Sequence, residues 1–409
     1  MPGSTGPNTA RRALVRLPHD RSVLLGHAAF MKVLDIVHTE SSLGWGGQEI
    51  RILSEAAGMI RRGHRVRLLC PRDARIYDEA ARFGVPVEAL PIGRKNLRGL
   101  AALIGWFRAN AGTSRPGVVN THSSTDSWLV ALAMLVLGRP APIVRTRHIS
   151  ARVPRNRTTR WLYAQAAAKV VTTGEALRTQ MIADVGIAPG CIESVPTGID
   201  TTRFVPGRRS EARAKLGLPA DKFLVGIVAT LRSWKGHRYL IEACAALPSD
   251  TGLVIVGDGP QHESLKAMLQ AHGMTDRAWM PGNQVDVLPW LQASDIFALP
   301  SYANEGVPQA LIQAMLVGLP CVTTTAGSIG ELARPDETAL VVPAENVPAL
   351  REAIAGLTGD PGLRERLGAA ARAHCLEGYS LERMLDRMER IFASVQVNVR
   401  KFPGEARVA

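Results

Sequence analysis

LPSYANEGVPQALIQAMLVGLPCV, residues 299–322, reads as the end of a buried strand, a glycine-proline loop and then a helix. Ile296, Phe297, Ala298 and Leu299 make a short apolar run that stops at Pro300, as a central parallel strand does. Glu305 follows in the loop, Gly306 lets a ligand approach the backbone, and Pro308 suits the first helical turn, where a missing N–H costs nothing. The free N–H groups of that turn, beginning at Val307, would face an anion. Gln309 and Gln313, four apart, share one helical face, while Leu311, Ile312, Met315 and Leu316 supply packing. In outline this is a site for phosphate and sugar.

On both sides of this stretch, short apolar runs alternate with longer helical segments, the pattern of parallel sheets wrapped in helices. Strands are expected at 32–37, 65–70, 85–90, 117–121, 142–146 and 168–173, with helices at 47–62, 75–83, 97–110, 125–138, 157–167 and 175–185. Val195 to Asp200 is turn-rich and has linker character. Beyond it, strands are expected at 223–229, 252–256, 278–280, 295–299, 320–323 and 339–341, and helices near 235–246, 261–272, 286–292, 308–317, 328–334 and 346–356. The fold class is therefore α/β, with two Rossmann-like lobes facing each other across a cleft, and such sheets bind ligands at the carboxyl ends of their strands. The domains expected are a disordered leader at 1–30, a first lobe at 31–197, a second at 198–380, and an amphipathic helix at 381–397 that follows the second lobe.

Composition sets the bounds of function. A chain of 409 residues is too long for one ordinary core, and 46% hydrophobic with 21% charged residues is the balance of a globular protein. The longest apolar stretch, Trp128 to Leu137, is half what a membrane span needs and reads as a buried helix. Five scattered cysteines without C-x-x-C or Cys/His clustering read as reduced core residues of a cytosolic protein. No long apolar run precedes Met31, so residues 1–30 lack a secretory signal's core. The net charge of +13 is lopsided: +3 lies in 1–30, +10 in 31–200 and none in 201–409. A first lobe so charged is drawn to phosphate-bearing partners. No G-x-G-x-x-G and no P-loop motif occurs, which disfavours dinucleotide oxidoreductases and P-loop ATPases. The basic stretches lack the interleaved aromatics of a stacking platform, so no nucleic-acid partner is expected.

Residues 299–322 resemble the E-x7-E region of the family 4 retaining glycosyltransferases, which have the GT-B fold. Pro300-Ser301, Glu305-Gly306-Val307-Pro308 and Gly318-Leu319-Pro320 match, while Gln313 stands where the family has its second Glu, able to hydrogen-bond a ribose diol without charge. The resemblance runs in order from about residue 32 to 395. Gly44-Trp45-Gly46-Gly47 is similar to the family's glycine loop near the donor diphosphate, and His122 in Asn120-Thr121-His122-Ser123-Ser124 to the loop histidine over the donor sugar. Asp126 would orient that histidine or begin the next helix as an N-terminal acid. In Thr230-Leu231-Arg232-Ser233-Trp234-Lys235-Gly236, Lys235 matches the cation that holds the leaving diphosphate. Thr230 replaces the usual Arg, and Arg232 is its displaced substitute. Gly257-Asp258-Gly259-Pro260 resembles a further glycine turn, Gly282, Asn283 and Val285 the base-binding loop, and Ala326 to Glu331 a loop whose glycines contact phosphate and whose Glu caps or orients it.

The resemblance implies a retaining, metal-independent transferase for a UDP-, GDP- or ADP-sugar, with Glu305, Lys235, Arg232 and His122 as catalytic residues. Gly46, Gly47, Gly257, Gly282, Asn283, Val285, Gly306, Val307, Gln309 and Gln313 would bind the donor. No D-x-D occurs, so neutralisation by Arg and Lys is expected in place of a metal, with no cofactor besides the donor. Arg145, Arg147 and His148, with the following Arg152, Arg155, Arg157 and Arg160, form a basic loop and helix start in the lobe that in this family receives the acceptor, expected to be a saccharide or lipid-linked glycan of the cell surface. The 97–110 segment, with Lys95, Arg98 and Arg108, would suit the inner face of the cytoplasmic membrane or simply pack on the sheet. A non-catalytic GT-B partner subunit and a GT-B nucleotide-sugar epimerase are the alternatives; donor titration separates them.

Overall fold

The computed structural model describes residues 33–112 and 115–399, with side chains placed through residue 396. The expected leader at 1–30 lies outside the described residues. Both lobes belong to one compact unit that begins at Leu34.

The first lobe is a seven-stranded parallel sheet of β1 (Asp35–Thr39), β2 (Arg65–Cys70), β3 (Val87–Ala89), β4 (Val118–Thr121), β5 (Ile143–Arg147), β6 (Lys169–Thr172) and β7 (Ile192–Ser194). Their spatial order is β3-β2-β1-β4-β5-β6-β7. The second lobe holds β8 (Phe223–Val228), β9 (Thr251–Val256), β10 (Ala278–Gly282), β11 (Ile296–Leu299), β12 (Cys321–Thr323) and β13 (Leu340–Val341), in the order β10-β9-β8-β11-β12-β13. Each sheet winds one way and then the other, so the strand order reverses once, between β1 and β4 in the first and between β8 and β11 in the second. A parallel sheet leaves a crevice where its order reverses, because the connections on either side depart to opposite faces. The segments after β1, β4, β8 and β11 carry the Gly44–Gly47, His122, Lys235 and Glu305 motifs.

Most of the expected elements are present, with shifts at their ends. The first strand begins at Asp35 and runs to Thr39, two residues past the expected 37. The 328–334 helix is only a single 3-10 turn, Ile329–Glu331, and the 308–317 helix begins at Gln309 with Pro308 as its N-cap. Strand β7 and the helices Arg209–Leu216 and Pro361–Gly378 are additions. The apolar stretch at 128–137 is a helix, Ser124–Val136, but only one side is buried: Leu132, Leu135 and Val136 are exposed. Cys191 is also exposed, against the expectation that all five cysteines are core; the other four are buried. Among the described residues no helix is long and apolar enough to cross a membrane.

The last helix, Leu381–Val399, leaves the second lobe and packs on the first. Met384, Leu385, Met388, Ile391, Phe392 and Val395 recur at helical spacing and are buried with Ile36, Ile52 and Leu53. Burying each such side chain contributes about 1.5–3 kcal/mol. At the crossing, the two connecting strands of chain run side by side: Ile199 N–H donates to Tyr379 O (2.9 Å) and Leu381 N–H to Ile199 O (2.9 Å). That is where the linker was expected.

Candidate active site

In the second lobe, β8 and β11 deliver a cation and a carboxylate to the same point. After β8 the chain makes a 3-10 turn, Ser233–Lys235, closed by Gly236 at φ +77°. A Cβ on Gly236 would stand 2.0 Å from Pro300 O, so only glycine lets this turn lie against the end of β11. Lys235 Nζ then reaches Glu305 Oε1 at 2.6 Å, and Ser301 Oγ donates to the same oxygen at 2.6 Å. Glu305 is only 4% exposed. Its main chain is held by the 326–328 loop, Ser328 N–H donating to Glu305 O (3.3 Å). Arg232 is exposed and lies over the Trp234 ring, 5.6 Å from its centroid. Thr230, in the place of the family's Arg, packs against the other lobe, its Cγ2 3.8 Å from where a Cβ of Gly46 would be.

The Glu305 loop meets the first lobe directly. Val307 N–H donates to Thr173 O (3.2 Å), Gly47 O accepts from Gln309 Nε2, and a Cβ on Gly306 would collide with Thr173 Oγ1 at 2.3 Å. Gly306 thus admits the Thr173 side chain of the first lobe, whereas the sequence suggested room for a ligand. Glu331 Oε1 accepts from Glu175 N–H (2.7 Å) and Ala176 N–H (3.1 Å), so a second-lobe carboxylate caps the first-lobe helix Glu175–Val185. An acid at a helix start satisfies free N–H groups and complements the helix dipole. Gln313 is partly exposed on the Gln309–Leu316 helix. Gly257 (φ +141°) brings its turn against Ala229 O and donates its N–H to Gly282 O (2.9 Å), while Asn283 and Val285 are exposed just beyond.

In the first lobe, β1 and β4 end side by side and place His38 next to His122. His38 Nδ1 lies 2.9 Å from His122 Nε2, and His122 Nδ1 lies 3.0 Å from His148 Nε2 at the end of β5. His38 is fully buried, His122 2% exposed and His148 partly exposed. Burial drives the His38 pKa down to about 3 and holds His122 and His148 well below the ordinary imidazole range, with Arg145 and Arg51 adding repulsion. All three rings are neutral at pH 7. Asp126 begins the next helix: its carboxylate accepts from the His122 (2.9 Å) and Ser123 (2.9 Å) N–H groups and from Thr39 Oγ1 (2.7 Å), and does not touch the His122 ring. Burial, reinforced by Glu40, pushes its pKa up to about 7.

Arg145 and Arg147 turn inward, against the expectation of a basic acceptor surface. Arg145 Nη1 donates to Thr121 O (3.1 Å) and Thr146 O (2.9 Å); Arg147 reaches Ala151 O and the Tyr163 hydroxyl. They are 3% and 9% exposed, so of that trio only His148 opens toward the lobe junction. Sequence reasoning missed His38 and Glu40, and gave Ser301 a place in a motif but no role. The Glu40 carboxylate holds the glycine-loop backbone through Ser41 and Ser42 N–H (2.7 Å each). His38 and Glu40 lie at the carboxyl end of β1, and that position was the available signal.

With this geometry, comparison with known proteins is decisive. Residues 208–374 match the model of the glycosyl transferases group 1, and residues 45–203 that of Glycosyltransferase Family 4. The chain belongs to the family 4 glycosyltransferases of the GT-B fold. This glycosyltransferase is 27% identical over 323 residues to a D-inositol 3-phosphate glycosyltransferase of Arthrobacter sp., covering 73% of this chain and 75% of the relative. It is 25% identical over 296 residues to the UDP-Gal:alpha-D-GlcNAc-diphosphoundecaprenol alpha-1,3-galactosyltransferase of Escherichia coli, covering 69% and 76%. A glycosyltransferase of Rickettsia africae has the same fold with a TM-score of 0.80 at 20% identity, covering 90% of this chain and all of that one. Anabaena HepE in complex with UDP-glucose superposes with a TM-score of 0.79 at 22% identity, covering 88% and 99%. The two Rossmann-like lobes expected from sequence are those of this glycosyltransferase.

The histidine chain makes a test independent of turnover. A depressed imidazole pKa contributes stability that is present above the ordinary value near 6.5 and is lost as pH falls through that value toward the folded one, about 3 for His38. Below pH ~6, the unfolding free energy of wild type should therefore fall faster with acidification than that of His38→Asn, by up to about 1.4 kcal/mol per pH unit. Urea melts at pH 7, 6 and 5 measure the two slopes; parallel slopes would show that His38 keeps its ordinary pKa.

Proposed function

We propose that this glycosyltransferase moves a sugar, with retention and without a metal ion, from a nucleoside diphosphate to a hydroxyl of a saccharide or lipid-linked acceptor in cell-surface glycan synthesis. The observation that carries the reading is the Lys235–Glu305 pair at the crevice where the second sheet reverses. A sugar–phosphate bond breaks toward an oxocarbenium ion and leaves charge on phosphate oxygen. On this reading Lys235 exchanges its contact with Glu305 for the diphosphate, and exposed Arg232 swings onto it as a second cation. Glu305, released, accepts from the donor sugar's hydroxyls, and Gln313 bonds the ribose. The His122 main-chain carbonyl faces the developing positive charge, since both ring nitrogens are already engaged. Gly46, Gly47, Gly257, Gly282, Asn283, Val285, Val307 and Gln309 form the remaining donor surface.

The charge of +10 on residues 31–200 favours a phosphorylated acceptor. An acceptor of that kind is supported by the names of the relatives, an inositol phosphate enzyme and a diphosphoundecaprenol enzyme. Leu97, 82% exposed at the start of its helix, stands among exposed Arg94, Lys95 and Arg98, a combination that fits the inner face of the cytoplasmic membrane. Leu103, Trp106 and Phe107 of the same helix pack on the sheet.

The test is thermal shift with UDP, GDP, ADP and their sugars, with and without a chelator. A chelator-insensitive rise with one nucleotide is expected; no rise with any of them would leave a non-catalytic partner subunit. Gln313→Glu should keep or raise turnover by placing a carboxylate against the ribose diol. An inactive Gln313→Glu enzyme with an unchanged melting temperature would remove Gln313 from the ribose.

A further inference from the structure

The loop after β10 sends a polar side chain to the other lobe. Gln284 Nε2 donates to Pro281 O (2.8 Å), and Asp286 Oδ1 accepts from Arg203 Nη2 (2.9 Å) and Leu288 N–H (3.1 Å), so both are tied within the second lobe. Asn283 faces Arg75, which follows β2 as the first residue of the helix Arg75–Ala80. A guanidinium has only donors, so the Asn283 amide turns its oxygen toward it, 3.1 Å from Nη2 and 3.2 Å from Nη1. The remaining nitrogen, Nε, lies 4.0 Å from Glu79 Oε1 on the same helix. Arg75 Cζ also stands over the Trp45 ring, 5.6 Å from its centroid, within reach of cation–π attraction. Trp45 in turn packs against the first lobe's core. The fork is therefore held from behind by Trp45 and Glu79 and points across the cleft, with 46% of the side chain still exposed.

We propose that Arg75 of the first lobe is a specificity-determining residue of this transferase, donating to a carbonyl oxygen of the donor's nucleobase, so that the site takes a uracil or guanine nucleotide and disfavours adenine. Trp45 is the residue that positions it. The group Arg75 now holds is an amide carbonyl, and the carbonyls of uracil and guanine are acceptors of the same kind; adenine carries an amino group instead, which would set donor against donor. The place is right for a base. Strand β10 lies two strands from β8, about 10 Å at ~4.8 Å per strand, so Arg75 meets the donor at its nucleoside end, apart from Lys235 and the diphosphate. Exposed Val285, two residues beyond Asn283, offers the same loop an apolar surface for a ring. The inference rests on the reading of 282–285 as the base loop; the contact between Arg75 and Asn283 does not.

The decisive measurement is calorimetric titration of the full chain with UDP, GDP and ADP, each nucleotide bringing the same diphosphate and a different base. Wild type should bind UDP or GDP more tightly than ADP; tightest binding of ADP overturns the proposal. Arg75→Ala, at a half-exposed position, should keep the melting temperature and lose about 5–10-fold in affinity for the preferred nucleotide, the lower end of what a forked arginine–base contact supplies. Its affinity for ADP should hardly change, so the preference for a carbonyl-bearing base should collapse. An equal loss for all three nucleotides would mean that Arg75 only attracts the diphosphate or only closes the cleft, and overturns the assignment, as does no loss at all. Arg75→Lys keeps the charge without the fork and should lose most of the preference too; a preference fully kept by lysine overturns the base contact. Trp45→Leu should lower the ratio of the ADP Kd to that of the preferred nucleotide in the same direction by a smaller factor, and an unchanged ratio removes its positioning role. If wild type binds none of the three, the transferase reading fails and this inference with it; if it binds them and the ratio does not depend on Arg75, only this inference fails.

Discussion

Replacing Lys235 with alanine should lower turnover by about 10²–10³-fold, the loss seen when a preorganised group that stabilises developing anionic charge is removed. The argument rests on where the ammonium sits. It is carried by a glycine-closed turn that no larger residue could make against Pro300, and it is 17% exposed beside a carboxylate that is 6% exposed. A cation so placed is worth more than one in water, because little solvent screens it. It is also displaceable: the Lys235–Glu305 contact is a single one, Nζ to Oε1, so an incoming diphosphate can take over the ammonium while Glu305 keeps the Ser301 hydroxyl. Lys235→Arg should fall between wild type and Lys235→Ala, since a planar fork keeps the charge but not the compact geometry. The comparison needs initial rates at saturating donor and nucleotide affinity by titration. A Lys235→Ala enzyme retaining more than about a tenth of wild-type turnover would show that Arg232 and the helix N-termini suffice for the diphosphate.

The second large effect concerns stability. Arg51→Met should cost about 3–5 kcal/mol, the range for breaking a buried ion pair by removing one partner. Arg51 and Glu55 are both fully buried, 3.7 Å apart, on the helix that follows the glycine loop. The guanidinium also donates to Val195 O (2.6 Å) and Thr197 Oγ1 (3.3 Å) and touches Met388 Sδ, tying the interlobe linker and the last helix to the first lobe. Methionine fills much of the volume and makes none of those bonds. The cost should depend on pH in a direction the structure fixes. Burial raises the Glu55 pKa to about 7 even with Arg51 present. A carboxyl raised in this way contributes stability that is complete below its ordinary value near 4.5 and is lost as pH rises through 7. Without its cation Glu55 should hold its proton more tightly still, so the deficit of Arg51→Met should be larger at pH 8 than at pH 5.5. Urea unfolding at the two pH values reads both numbers; a deficit below about 1 kcal/mol at pH 8 would mean that the pair does not support the lobe.

The sheets were legible because most strands buried on both faces contain a short apolar run, and helical segments alternate with those runs. What lacked that contrast was missed. Strand β7 is three residues long at a sheet edge, with Glu193 in its middle, and the Pro361–Gly378 helix is rich in Gly, Ala and Arg and shows no clear stripe. That helix did carry a start signal, Asp360 before Pro361, and Asp360 does cap it, accepting from Leu363 N–H (2.9 Å). The site divides in the same way. Lys235 and Glu305 could be read because motif and strand end coincide, and their meeting follows from the sheet reversing between β8 and β11. The histidine chain could not be read, because it depends on β4 lying beside β1, which are separated in sequence by two strands and three helices. Arg145 and Arg147 misled for a physical reason: alternate residues of a strand share a face, but a parallel sheet covered on both sides has no solvent face to give them.

The return of the Leu381–Val399 helix onto the first sheet bears on how a ribosome delivers this molecule. The second lobe is made from one continuous stretch and can bury its core once residue 379 is out. The first lobe, translated earlier, keeps Ile36, Ile52 and Leu53 without their final cover until Phe392 and Val395 emerge. The lobe synthesised first should therefore be completed last, and the nascent chain should need shelter at its start, not at its end.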